Sequence, residues 1–302
     1  MRSAAVATVQ AEPSGGLRAA CHAIRRFAIG QPLGAAGLVA ILVMLLASLC
    51  AKWMAPFDPV AIDFGAMLTR PSGAHLFGTD QFGRDVLSRI IYGARTALLV
   101  GFWSSFLGCT AGTIIGIASA YFGGRVDLLL QRFTDVLLSF PIIVLALLVG
   151  VMLGSKHVAG VDLNLILAIA LPMLPRAVRV IRAAALTVRE MPYIDAARAA
   201  GYSHCRIMFR HMAPNVIAPY LIIITAFIAQ AILLEASLTF LGLGVAEPTP
   251  AWGLMLSGTS SDFYREAPWM IVFPGVAISV SVFAFNLFGD SLRDWLDPKF
   301  RV

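Results

Sequence analysis

Thr96-Ala-Leu-Leu-Val-Gly-Phe-Trp-Ser-Ser-Phe-Leu-Gly-Cys-Thr-Ala-Gly-Thr-Ile-Ile-Gly-Ile-Ala-Ser-Ala-Tyr-Phe122 contains no charged side chain. A helix that crosses a bilayer needs roughly 20 mostly apolar residues, and this run is long enough. Five other stretches read the same way: Leu33–Met54, closed by Lys52 and Trp53; Leu129–Gly154; Val161–Val180; Val216–Phe240, which carries Glu235; and Trp269–Gly289. Val161–Val180 is the weakest, because only Leu163–Pro175 is uncharged and Arg176, Arg179 and Arg182 follow. The pattern predicts an all-α membrane protein with six transmembrane helices.

The composition agrees. Of 302 residues, 59% are hydrophobic and 13% charged, against about 25% charged in an ordinary soluble domain. Mean hydropathy is +0.81. The polar surface is too small to cover a water-soluble globule. The net charge of +6 is gathered in particular loops, which favours a membrane over nucleic acid as the partner. Cys21, Cys50, Cys109 and Cys205 are scattered, with neither disulfide nor metal spacing. The first apolar run follows a long basic lead and reads as an anchor rather than a cleaved signal.

Six spans put both termini on one side. With the termini inside, 16 of the 23 Lys and Arg residues lie on the cytoplasmic side and 7 outside, so a cytoplasmic N-terminus is expected. The domain reading is a disordered tail over 1–16, an interfacial amphipathic helix over 17–32, a six-span domain over 33–289, and a cytoplasmic tail over 290–302. In Leu17–Ala28 the apolar residues recur at helical spacing, with Arg18, Arg25 and Arg26 on the other face. Two loops exceed simple turns: Ala55–Arg95 outside and Ala183–Pro214 inside.

Several chemistries are absent. The three lysines, Lys52, Lys156 and Lys299, do not follow glycine, so there is no phosphate-binding loop. There is no HExxH, and His204 and His211 are spaced as solvated loop residues rather than metal ligands. GxSxG is missing too. No catalytic or metal site is expected in this chain. An intramembrane hydrolase lacks its nucleophile and base, and a secondary transporter would usually carry more buried ionisable residues.

The inner loop reads Val188-Arg-Glu-Met-Pro-Tyr-Ile-Asp-Ala-Ala-Arg-Ala-Ala-Gly-Tyr-Ser-His-Cys-Arg-Ile-Met-Phe-Arg-His-Met-Ala-Pro-Asn215. Pro192 suits a first helical turn, and Gly201 a left-handed helix end. Ser203 suits the cap of a second helix, which Pro214 would end. Ala196, Ala197, Ala199 and Ala200 let another backbone approach closely. Arg198, Arg206 and Arg210 suit a protein partner or lipid phosphates. Read from the residues alone, the segment is either a docking helix or a plain amphipathic connector.

Asp195-Ala-Ala-Arg-Ala-Ala-Gly201 with Phe209-Arg-His-Met-Ala-Pro-Asn215 resembles the EAA loop of ABC-importer permease subunits. Asp195 stands where that family usually has glutamate, and Ala213 where leucine or isoleucine often precedes the proline. Three further stretches are similar to the second permease subunit of the dipeptide/oligopeptide/nickel group. They are Leu76–Gly101, containing Gly78-Thr-Asp-Gln-Phe-Gly-Arg-Asp85; Phe240–Gly253; and Asn286–Pro298. The resemblance covers roughly Gln31–Arg301.

It implies a type I ABC importer permease fold in a bacterial inner membrane, with peptides as cargo, or nickel or glutathione in the same architecture. It implies a homologous permease as heterodimer partner, an external binding protein, and two P-loop ATPase subunits that hold ATP and Mg. Pro192–Ala200 would be the coupling helix, and a bulky residue at Ala197 or Gly201 would uncouple ATP hydrolysis from uptake. Other residues carry looser expectations. Glu235 would pair with Arg84, Arg89 or Arg95, or recognise a peptide amine. Asp135 would form an interfacial pair near Arg132, and Pro141 would kink or break the third span. Asp80, Arg84 and Asp85 would shape an outer vestibule or meet the binding protein, and Glu247, Pro248 and Trp252 would form a re-entrant or docking turn.

Overall fold

The computed structural model describes residues 29–154, 157–158, 161–258, 262–263 and 265–296. The expected tail over 1–16 and nearly all of the expected interfacial helix lie outside these residues. Among the described residues, five helices are long and apolar enough to cross a membrane, or six when one bent pair counts as a single span.

The first span is α1 (Pro32–Leu49), followed by the short α2 (Ala51–Met54). The second, α3, runs from Val86 to Phe122 and starts ten residues before the uncharged run. Asp85 accounts for that start, because its side chain accepts from Ser88 N at 2.8 Å and caps the helix. The loop expected over Ala55–Arg95 therefore ends at Asp85.

The third span is broken. α4 (Gly124–Leu138) and α5 (Ile142–Leu153) meet at 93° across Ser139–Pro141. Proline cannot donate to the preceding turn, so the break falls where Pro141 sits. A hairpin of two-residue strands, β1 (His157–Val158) and β2 (Val161–Asp162), leads into α6. α6 (Leu163–Arg189) carries the fourth span beyond Val180 and through the first part of the expected inner loop. Next come α7 (Pro192–Ala199) and the single turn α8 (His204–Arg206). A π turn (Ile207–Met212) and a 3₁₀ turn (Ala213–Val216) lead into α9 (Ile217–Phe240). Pro214 does not end a helix: it occupies the first turn of the 3₁₀ segment, where a missing N–H costs nothing. A short α10 (Trp252–Leu256) returns toward the bundle. α11 (Trp269–Leu296) extends the sixth span past Gly289, so the expected C-terminal tail is helical as far as Leu296.

The tightest contact joins α3 to α6. A Cβ on Gly112 would lie 2.5 Å from Ala177 Cβ, and those on Gly108 and Gly116 would lie 2.8 and 2.9 Å from the carbonyls of Ala170 and Val178. Glycine at every fourth position removes side chains from one stripe and lets two backbones meet, the usual way helices pack where lipid supplies no hydrophobic drive.

The arginines that weakened the fourth span are matched from α4. Arg179 Nη2 donates to Asp135 Oδ1 at 2.6 Å, and Arg182 forks onto Asp127. Asp135 thus pairs with Arg179, and the interfacial pair expected near Arg132 does not form.

Candidate functional site

The expected helix–glycine–helix is present at the end of the bundle where α6 meets α9. Gly201 has φ +73°, its N–H bonds to Arg198 O at 3.0 Å, and Tyr202 N bonds to Ala197 O at 3.2 Å. These two bonds form a Schellman cap, which satisfies the last carbonyls of α7. Ser203 Oγ then accepts from Arg206 N and caps α8.

α7 has two faces. Ile194 and Ala197 are buried with Ile207, Met212 and Val216 against Ile117 and Tyr121 of α3 and Ile181 and Val188 of α6. Asp195, Ala196, Arg198, Ala199, Ala200, Gly201, Arg206 and Arg210 are exposed. Ala197, at 5% exposure, therefore holds the helix onto this chain, and the expectation that it contacts a partner is corrected. A helix of eight residues has room for one inward stripe, and residues 194 and 197, three apart, occupy it.

The exposed side is fixed by bonds to α3. Arg198 stacks over the Tyr121 ring at 5.3 Å, and Tyr121 Oη lies 2.8 Å from His204 Nδ1. Arg198 Nη1 also donates to Asp195 Oδ1 at 3.1 Å. Arg206 stacks on Tyr202, whose ring lies against His211. The sequence reading missed Tyr121, since only its place at the end of α3 brings it to the loop.

The other end holds the second group of expected residues, and most of it is internal. Asp80 Oδ2 accepts from Arg84 Nε at 2.6 Å. Arg84 Nη1 and Nη2 donate to Glu247 Oε2 and Oε1 at 2.7 and 3.3 Å. Arg89, 1% exposed, donates to Pro59 O at 3.1 Å and lies 3.6 Å from Glu247. Burial acts against the Arg84 charge, but the bond to Glu247 and the attraction of Asp80 more than offset it, so its pKa is raised. These groups border a cavity of ≈ 200 Å³ together with Met255 and Met270.

Asp85 is buried and bonded to Ser88 and to His75 Nδ1. Trp252, 2% exposed, donates from Nε1 to Ile90 O at 3.0 Å. Asp85 and Trp252 are thus packing groups, and neither is placed to meet an external protein. Asp80 and Arg84 are also buried but line the cavity, while the Glu247 side chain is 46% exposed. Residues 247–256 do form a turn that re-enters the bundle, with Gly253 packed against the backbone of Ala236. Glu235 is 1% exposed and accepts from Thr239 Oγ1 at 2.9 Å. Its expected bond to an arginine is absent among the described residues, since Arg84 and Arg89 turn to Asp80 and Glu247.

Residues 112–302 match the family described as binding-protein-dependent transport system inner membrane component. A putative peptide transport system permease protein of Brucella suis is 43% identical over 266 residues, covering 88% of each chain. A dipeptide transport system permease protein of Alkalihalophilus pseudofirmus is 39% identical, covering 89% of this chain and 86% of its own. A glutathione transport system permease protein of Pectobacterium atrosepticum is 37% identical, covering 92% and 90%. With the spans, the broken third helix and the capped loop helix in place, these similarities identify the protein: the chain belongs to the binding-protein-dependent transport system inner membrane components.

Proposed function

We propose that this chain is one permease subunit of an ATP-driven importer of small peptides. It forms half of the pathway with a homologous permease, receives cargo from an external binding protein, and is driven by two P-loop ATPase subunits that hold the ATP and Mg. The observation that carries the reading is the two-sided α7: an exposed Ala196, Ala199 and Ala200 surface on a helix pinned from behind by Ile194 and Ala197. Small side chains let an ATPase surface approach closely, and the pinned face passes the load to α3 and α6. The excess of Arg on the α7 side supports a cytoplasmic location for that loop and for both termini. Peptide cargo is supported by the names of the relatives, and glutathione is itself a small peptide.

The test uses the complete transporter in proteoliposomes. Ala199→Trp is expected to leave the permease folded and inserted, with uptake lost while ATP hydrolysis continues or the ATPase dissociates. Full uptake by Ala199→Trp would overturn the docking role of this face.

A further inference from the structure

α6 carries three arginines three residues apart, and the chain treats them differently. Arg182 forks onto Asp127, and Arg179 bonds to Asp135 at 2.6 Å. Arg176 instead donates from Nη1 to Gln230 Oε1 of α9 at 3.3 Å. No described carboxylate lies within 4.0 Å of it. Two of the three cations are neutralised within the chain, and the third is given a neutral amide.

Its position makes that unusual. Arg176 is the midpoint of α6 (Leu163–Arg189), and Gln230 is near the middle of α9 (Ile217–Phe240). At 1.5 Å per residue, Arg176 lies about 20 Å from either end of its helix. Its side chain is nevertheless exposed on this chain, and that of Gln230 is half-buried. The span read from the sequence ends near Val180, about one turn past Arg176, and a guanidinium inside a span is costly in hydrocarbon, so such groups face water-filled cavities or protein and mark ion and substrate routes.

The donor set is specific. Gln230 spends its oxygen on Arg176, which leaves its amide N–H groups to donate beside the rest of the guanidinium fork. A fork and an amide together offer several N–H donors and one positive charge, a match for a carboxylate, which accepts only.

We propose that Arg176 and Gln230 form a carboxylate-recognition site in the translocation pathway, toward the inner end of the fourth span, for the C-terminal carboxylate of the passing peptide. This rests on the peptide-import reading. The competing occupant is an acidic side chain of the partner permease.

The experiment uses the complete transporter, reconstituted with its binding protein, and one peptide offered as the free acid and as the C-terminal amide, each saturating the binding protein. Arg176→Gln is expected to lower uptake of the free acid about tenfold, the loss of one charged hydrogen bond, and to leave amide uptake at the parent level. Equal losses for both peptides would assign Arg176 to a fixed partner carboxylate, and no loss would remove it from the pathway; either overturns the proposal. A second readout is independent of cargo. Arg176→Cys and Gln230→Cys should be labelled by a membrane-impermeant thiol reagent in the inward-open transporter, above the background of the native cysteines, and absence of labelling at both also overturns it. Failure of the parent transporter to move any peptide, with cysteine labelling intact, would instead strike the peptide-import reading.

Discussion

Arg182 grips Asp127 with both arms, Nε to Oδ1 at 2.6 Å and Nη2 to Oδ2 at 2.5 Å, and so ties α6 to the start of α4. Ser119 of α3 donates to the same carboxylate. Arg182→Gln or Asp127→Asn should each destabilise the purified permease by about 1–3 kcal/mol, since each leaves a partly buried partner charge unmatched. The double variant should cost less than the two singles summed. Thermal unfolding in detergent, read by intrinsic fluorescence, measures all three, and strict additivity would show the two groups to be uncoupled.

Gly112→Leu should prevent accumulation of folded protein. Even the first added carbon meets Ala177 Cβ at 2.5 Å, and overpacking a fixed contact costs about 1–3 kcal/mol or more. Gly150→Ala is the control, because its Cβ would sit 3.8 Å from Ala168 Cβ, an ordinary contact. The ratio of monodisperse protein after extraction separates the two.

Gly201→Ala meets no neighbour within 4 Å, but it forces a side chain onto φ +73°. The cost should be about 1 kcal/mol, confined to the end of α7. Hydrogen exchange should rise at Ala199–Tyr202 and stay unchanged in α6. Gly201→Asn should recover most of the protection, because asparagine tolerates the left-handed region.

Glu247→Gln should be far more disruptive than Asp195→Asn. Glu247 holds Arg84 and lies beside the buried Arg89, and removing its charge leaves two buried cations with Asp80 alone, at about 1–3 kcal/mol once its own 46% exposure is allowed for. Asp195 is 72% exposed in its bond to Arg198, so its loss should stay within about 0.5 kcal/mol. Melting temperatures of the two variants, compared at one detergent and salt concentration, check the order.

The spans were legible because lipid imposes a simple rule on composition, and the two failures of that rule share a cause. α3 begins ten residues before the uncharged run, and α6 runs well past Val180, because arginines lower the hydropathy of a stretch even where the fold neutralises them. The partners that do so are remote in sequence: Glu247 for Arg89, Asp127 for Arg182. The loop helix was legible too, since Pro192 and Gly201 mark its ends locally. Its orientation was not. Four alanines look alike in sequence, and only the packing of Ile194 against α3 and α6 shows that Ala197 faces inward. The glycine stripe at 108, 112 and 116 was present in the sequence as a repeat of four and carries its meaning only against α6.

That stripe also bears on motion. Two helices that meet this closely along a glycine stripe leave little room for one to slide past the other, so α3 and α6 are expected to travel as a single plank. A displacement of α7 at one end is then felt along the plank's whole length, and bending has to be taken up elsewhere. The elbow at Ser139–Pro141, where α4 and α5 part at 93°, already has its backbone ladder interrupted, which makes it the natural hinge against which the plank can tilt.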